Sequence, residues 1–199
     1  MQILVSIDDT DNLESRGTGE IASLLAKLLE ERGWGKARVI TRHQLLVHPD
    51  IPYTSHNSAM CFAAEIEEQY FVEYLQMARQ FLANESAPGS DPGLCVVALE
   101  QLKNKVELKE FAFKAKKVVL NKEEAYEVAA KTGAYLSEHG GEGIGVIGAL
   151  AGAGLRLSGK DGRLRGRLKV NAPIGIITSG EIKQQSGVEV VQSTEGQMI

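Results

Sequence analysis

The feature that most constrains this chain lies in its first 33 residues. Ile3-Leu4-Val5-Ser6-Ile7 reads as a strand, and Asp8-Asp9-Thr10-Asp11 with Arg16-Gly17-Thr18-Gly19-Glu20 reads as the turn after it. Ile21, Leu24, Leu25, Leu28 and Leu29 then recur at helical spacing until Gly33, which is placed to act as a left-handed cap. The chain therefore opens with a β-loop-α unit, whose acidic turn falls where open α/β sheets put ligands, outside the carboxyl end of a strand.

The remainder continues the alternation. Lys36 to Val47 is rich in β-branched residues and predicts a long strand, closed by the rigid loop His48-Pro49-Asp50-Ile51-Pro52-Tyr53. Ser58 to Glu65 predicts a strand, Tyr70 to Ala83 an amphipathic helix, Glu85 to Gly93 an irregular loop and Leu94 to Ala98 a short buried strand. Helices are expected over Lys109 to Val119 and Lys122 to Ser137, broken near Asn121, followed by a glycine-rich run from His139 to Gly152. Short β-like pieces follow at Leu155-Arg156-Leu157, Leu164 to Val170, Ile174 to Thr178 and Val188 to Val191. The expected fold class is α/β (α+β), a mixed sheet with flanking helices and antiparallel later strands, in one compact unit over residues 1–199 or two interlocked lobes.

At 199 residues, 43% hydrophobic and 24% charged, the composition is that of ordinary globular material. The formal charge of −4 gives no general basic field, so a bare DNA- or RNA-binding module is disfavoured. Cys61 and Cys95 stand alone in apolar runs without CxxC or Cys/His spacing, which predicts buried free thiols and no structural zinc. Met1-Gln2 runs straight into a strand with no charged-then-apolar leader, and no apolar stretch approaches a membrane span, so a cytoplasmic location without membrane partners is expected.

Three carboxylates within four residues repel one another, and clustering them costs free energy unless a cation or amide donors compensate. Magnesium prefers one or two carboxylates plus phosphate oxygens, which makes Asp8, Asp9 and Asp11 candidate magnesium-phosphate ligands. Gly17, Thr18 and Gly19 sit at the helix start, where unpaired N–H groups and the dipole favour an anion. The competing reading is that Asp11 or Thr18 merely caps the helix while Asp8 and Asp9 are solvated. The run Gly143-Ile144-Gly145-Val146-Ile147-Gly148 fits G-x-G-x-x-G without the preceding strand of a dinucleotide fold. Its glycines would let backbone amides approach a phosphate, or would serve close helix packing through small residues. Gly154 to Lys160 has Walker A spacing, but Asp161 replaces the required Ser or Thr, and Ser158 to Gly162 reads better as a hairpin turn. The four histidines are scattered and read as structural, although Arg42 and His56-Asn57 could be aimed at a ligand by the proline loop. Arg163, Arg165, Arg167 and Lys169 alternate along one strand face, either as a solvated stripe or as a surface for phosphates or an acidic partner.

With these pieces in order, the chain resembles the N-terminal half of the archaeal tRNA(Ile) agmatinylcytidine (agmatidine) synthetase family, TiaS. The resemblance is carried by Ile7 to Asp11 with Arg16-Gly17, by Pro49 to Tyr53 with Asn57, by Asp91-Pro92-Gly93 and by Gly143 to Ala151. It implies an ATP- and magnesium-dependent kinase-like domain joined to a ferredoxin-like lobe. In that family the wobble cytidine is phosphorylated on its C2 oxygen and agmatine displaces the phosphate. By motif, Asp8, Asp9 and Asp11 would hold magnesium and phosphates, and Gly143, Gly145 and Gly148 would line the nucleotide site. The family's Arg-Gly-Met-Cys-Thr-Thr becomes Arg16-Gly17-Thr18-Gly19-Glu20-Ile21 here, so Glu20 stands at the family's phosphorylatable threonine unless Thr18 takes its place. The family continues into an OB-fold and a zinc ribbon that grip tRNA. With two cysteines and a negative charge, autonomous tRNA binding is not expected.

The expectation that follows is a stand-alone relative of the synthetase's catalytic half. It would bind ATP and magnesium and act as a phosphotransferase or ligase on a small-molecule, nucleotide or RNA acceptor, with Asp11 or Glu20 orienting the nucleophile. Two alternatives stand beside it. One is a non-catalytic nucleotide-binding or sensing module. The other is one subunit of a split tRNA-processing enzyme, as a homo-oligomer or with a separate RNA-binding subunit on the Arg163 to Lys169 face.

Overall fold

The computed structural model describes residues 1–53, 56–165, 170–171, 175–186, 191 and 197–198. The chain clusters into two units, Met1–Arg165 and Gly166–Ile199.

In the first unit the chain runs β1 (Gln2–Asp8), α1 (Thr18–Glu31), β2 (Gly35–Gln44), β3 (Ser58–Ile66), α2 (Phe71–Glu85) and β4 (Gly93–Ala98). These strands lie in the order β4-β1-β3-β2, the βαββαβ arrangement of a ferredoxin-like fold. β5 (Tyr135–Glu138) extends one edge and β6 (Arg163–Leu164) the other. Every neighbouring pair is antiparallel. β1 and β2 do run parallel, as a β-loop-α opening requires, but the β2–β3 hairpin inserts β3 between them, so the expected mixed sheet becomes an antiparallel one.

Alternation along β1 sorts the two layers that sandwich the sheet. Ile3, Val5 and Ile7 pack with Ile21, Leu25 and Leu29 of α1 and Tyr74, Ala78 and Leu82 of α2. Leu4 faces the other way, into a core shared with Cys61, Cys95 and Val97, with Leu108 and Phe111 of α3 (Lys105–Lys114), and with Val146, Ala149, Leu150 and Ala153 of α5 (Gly145–Ser158). Both cysteines are free and buried, and burial pushes the Cys61 thiol up to about 12.

Four expectations are corrected. The helix from Lys122 stops at Thr132 as α4 (Lys122–Thr132), because Gly133 takes φ +80° and ends it, and the residues read as its last turn become β5. Leu155-Arg156-Leu157 is not a strand but the end of α5, which is closed by Gly159 in the left-handed region. Ser158 to Gly162 is therefore a helix-ending turn, and Lys160 of the Walker-like spacing is exposed. α3 is capped by Asn104, whose side chain accepts from the Glu107 N–H, so it begins earlier than expected.

In the second unit the described structure is α6 (Ser179–Ser186). Thr178 and Glu181 form a reciprocal capping box at its start, a helix that the strand reading of Ile174 to Thr178 does not foresee. The expected strand at Val188 to Val191, and Arg167 and Lys169 of the basic stripe, fall largely outside the described residues. Among the described residues no helix is long and apolar enough to cross a membrane.

Candidate functional site

A cavity of about 260 Å³ opens at the end of the sheet where β1 and β2 stop and β3 starts. Its polar side is built by Asp8, Asp9 and Asp11 with Gly17, Thr18 and Gly19 of the α1 start, faced by Arg42, Asn57 and Ser58. Its apolar side is built by Leu45, Ile51, Pro52 and Tyr53, by Ala115, Val118 and Leu120 beyond α3, and by Ile144 and Ile147. The structure thus brings together the acidic turn, the helix start, the proline loop and the beginning of α5.

Asp8 is the last residue of β1 and turns toward α5. It can be reached from the cavity but is enclosed by protein on its other sides. That enclosure, with the charges of Asp9 and Asp11, pushes its carboxyl up to about 8, although an N–H donated by Asp9 acts the other way. Asp9 takes φ +51°, a conformation that aspartate tolerates better than most side chains and that bends the chain away from the strand. Burial, followed by the charges of Asp91 and Asp11, raises its carboxyl to about 6. Asp11 accepts a hydrogen bond from Thr18 Oγ1 at 3.1 Å. The intervening loop is ordered by Asn12, which accepts from the Glu14 N–H at 3.0 Å and donates to Pro88 O, and by the Arg16–Glu85 ion pair.

Neither Asp11 nor Thr18 caps α1. The N-cap is Gly17, and among the described residues no side chain caps the first-turn amides. The helix start therefore meets the cavity with its amides free of side-chain acceptors, the condition in which it favours an anion.

The glycine run behaves differently from a phosphate cradle. The N–H of Gly143 donates to Asp91 Oδ1 at 2.9 Å and that of Gly145 to Asp91 O at 3.1 Å, so neither amide is available. Gly143 does not line the cavity. Gly145 and Gly148 line it, and their lack of a Cβ lets α5 press against β4 and β1. A Cβ on Gly145 would lie 2.1 Å from Asp91 O, and one on Gly148 only 1.6 Å from Asp8 Oδ2. Gly145 and Gly148 thus pack closely against the sheet, the second of the two readings of the run. Glu20 lies on the exposed side of α1, outside the cavity lining.

Asp91 is the residue whose part the sequence does not reveal. Its carboxylate gathers the Glu142 and Gly143 N–H groups, its carbonyl holds Gly145, and its charge acts on Asp9, so the Asp91-Pro92-Gly93 segment fixes the start of α5 beside the acidic turn. Among the described residues no three His, Cys, Asp or Glu side chains already converge as a metal-ligand group. Nor does any of Asp8, Asp9 or Asp11 pair with Arg42, which donates instead to Ser58 Oγ at 3.0 Å and Gln44 Oε1 at 3.4 Å.

Fold and site together define a ferredoxin-like α/β protein with an acidic, partly apolar pocket at the end of its sheet. No family model matches the chain. It is 32% identical over 161 residues to an uncharacterised protein, MJ0921, of Methanocaldococcus jannaschii, covering 77% of this chain and 50% of that protein. It also superposes on TiaS, the tRNA agmatidine synthetase. In the complex of TiaS with its isoleucine tRNA and ATP the TM-score is 0.66 at 32% identity, over 77% of this chain and 36% of that one. In the complex with the same tRNA, AMPCPP and agmatine the score is 0.64 at 31% identity, over the same shares. The chain resembles the N-terminal part of TiaS. It spans about half the length of the curated relative and 36% of TiaS.

Proposed function

We propose that the cavity binds ATP together with magnesium, and that the chain uses it to phosphorylate or otherwise activate a small-molecule or nucleotide acceptor. The observation that carries this reading is the separation of charge. Three carboxylates and Arg42 line one cavity without pairing, and an uncapped helix start opens beside them. A ligand that joins a cation to an anionic chain neutralises both sides at once.

Asp8, Asp9 and Asp11 would hold the magnesium. A site that is not a closed cage suits an ion that binds protein through one or two carboxylates and completes its shell with water and phosphate oxygens. Burial first and neighbouring carboxylates second raise the Asp8 and Asp9 carboxyls, and a bound cation would favour the ionised form of both. When bound, the ion supplies charge neutralisation on the phosphates. The Thr18 and Gly19 amides donate to the phosphate chain, Arg42 opposes its remaining charge, and the apolar side accepts the base. With Glu20 off the cavity, Asp11, held by Thr18, orients the attacking group. Catalysis then rests on positioning and electrostatics, with no protein nucleophile.

The named contents of the TiaS complexes, ATP in one and AMPCPP with agmatine in another, support the nucleotide part of this reading. Calorimetric titration of ATP in saturating magnesium tests it. The wild-type protein is expected to bind, and Asp8→Asn to weaken binding by more than about tenfold. Equal affinities would remove Asp8 from the site. Phosphate or ADP release, screened with amines, nucleosides and tRNA, then identifies the acceptor.

A further inference from the structure

The register of β6 places a second set of cations beside this cavity. Arg163 lies directly opposite Arg42 across the β2–β6 ladder, and opposed residues share a face of the sheet, as do residues two apart. Arg42, Arg163 and Arg165 are therefore forced onto one face. Like charges directly opposite one another are unfavourable, and among the described residues none of the three has a carboxylate partner.

Arg165 goes furthest toward the site. Its N–H bonds Ile40 O at 2.8 Å, which fixes its backbone on the β2 edge. Its side chain crosses the start of α1 and donates from Nη1 to Ser23 Oγ at 2.5 Å. It fits there only because residue 19 is glycine. A Cβ on Gly19 would lie 2.7 Å from Arg165 Nε and 3.0 Å from its Cδ, with Met60 Cε at 3.5 Å. Gly19 and Met60 both line the cavity, so the Arg165 side chain lies directly behind that part of its lining. A guanidinium carries five N–H donors in a fixed fork suited to phosphate oxygens. The structure shows Nη1 bound to one neutral hydroxyl.

We propose that Arg165 contacts the phosphate chain of the bound nucleotide, reaching it across the gap left by the missing side chain of Gly19. This rests on the reading of the cavity as an ATP site. It makes Gly19 do two things, expose the amide of the helix start and open the passage for a cation from the far edge strand.

A double-mutant cycle tests it. ATP affinity in saturating magnesium is measured for wild type, Arg165→Ala, Gly19→Ala and the double variant, with Arg165→Lys beside them and the thermal midpoint of each unliganded protein as a control. Arg165→Ala is expected to weaken ATP about tenfold with an unchanged unliganded midpoint, and Arg165→Lys to recover part of the loss. Gly19→Ala should weaken ATP by displacing the guanidinium, and should add nothing once Arg165 is gone. Wild-type affinity in Arg165→Ala, or losses that simply add, would overturn the proposal while leaving the ATP site standing. A wild-type protein that binds no ATP would overturn the ATP site and this proposal with it.

Discussion

The carboxylate of Asp8 occupies the space that a side chain on Gly148 would fill, with Oδ2 only 1.6 Å from where a Cβ would stand. The closest atoms, Oδ2 and Cγ, belong to a carboxylate that can turn away, Asp8 Cβ at 3.1 Å has to give by a few tenths of an ångström, and the helix gains about 1 kcal/mol of propensity in partial compensation. At Gly145 the obstruction is backbone, Asp91 O at 2.1 Å and the Gly93 N at 2.9 Å, and has no such escape. Gly148→Ala is therefore expected to cost nucleotide affinity while changing stability by less than about 1 kcal/mol, and Gly145→Ala to cost about 1–3 kcal/mol of stability. Urea unfolding beside ATP titration separates the two. The same loss of stability in both variants would contradict the assignment.

Asp8 also links the site to stability. An aspartate with the ordinary value of 3.8 ionises near pH 4 in the unfolded chain, whereas the folded carboxyl ionises near 8. Between these limits the native state keeps a proton that the unfolded state has released, so stability falls as pH rises, by up to about 1.4 kcal/mol per pH unit. Asp9, raised to about 6, acts in the same direction over the lower part of that window. Asp8→Asn should match wild type below pH 4 and exceed it in melting temperature above pH 6, by about 2–4 °C for each kcal/mol recovered. Thermal melts in chelator from pH 4 to pH 9 provide the check. A wild-type midpoint that does not fall relative to the variant would show that Asp8 is not held protonated.

Two buried threonine hydroxyls flank the acidic turn and differ in what they meet. Thr18 Oγ1 donates to Asp11, while Thr10 Oγ1 has no hydrogen-bonding partner among the described residues. Thr18→Val should cost about 0.5–1.5 kcal/mol and weaken the magnesium dependence of ATP binding, because Asp11 loses the contact that orients it. Thr10→Val removes a hydroxyl that makes no such bond and should be neutral or stabilising. Denaturant midpoints for the pair decide the matter, and a larger loss at Thr10 would reverse the reading.

The first strand and first helix are legible in the sequence because their periodicities are clean and the turn between them concentrates charge. Gly33 and Asn121 mark helix boundaries that are legible in the sequence, whereas Asn104, Gly133 and Gly159 mark boundaries that the periodicity reading passes over. The strand reading of Leu155 to Leu157 fails because it takes three residues by themselves, whereas Val146, Ala149, Leu150, Ala153 and Leu157 continue one helical stripe that Gly159 closes. The start of α6 has a signature in Thr178-Ser179-Gly180-Glu181, a capping box hidden by neighbouring β-branched residues. In the cavity, the acidic turn and the helix start can be placed from local pattern. The engagement of the Gly143 and Gly145 amides by Asp91 cannot, because it depends on a contact across more than fifty residues of sequence. Glu20 lies outside the cavity for a plainer reason: one position along a helix turns a side chain by about 100°, enough to take it off the cavity face.

A partly buried ionic pin holds the turn after α5 to the rest of the molecule. His43 is fully buried on β2, with Nδ1 2.9 Å from Asp161 Oδ1 and Nε2 2.8 Å from Thr41 Oγ1, and Lys116 Nζ lies 2.5 Å from Asp161 Oδ2. Burial would raise the Asp161 carboxyl, but the hydrogen bonds from Lys116 and His43 and their charges hold it below its ordinary value. Burial depresses His43, against the pull of Asp161. A neutral imidazole then donates from Nδ1 to Asp161, while the Thr41 hydroxyl beside Nε2 donates to Cys61 O at 3.1 Å. Both shifts have the same sign in stability. The Asp161 contribution is present above pH 3.8 and is lost as pH falls through its lower folded value. For His43, the unfolded histidine takes up a proton below pH 6.5 that the buried ring resists, so stability falls on acidification there as well. Asp161→Asn should cost about 1–3 kcal/mol at pH 7, since Lys116 loses its counter-charge and His43 its anionic acceptor. The gap between wild type and variant should narrow below pH 4, as the wild-type carboxyl protonates. Urea midpoints at pH 7, pH 4 and pH 3 measure it, and a gap that stays constant across that range would show that the charge on Asp161 does not hold the turn.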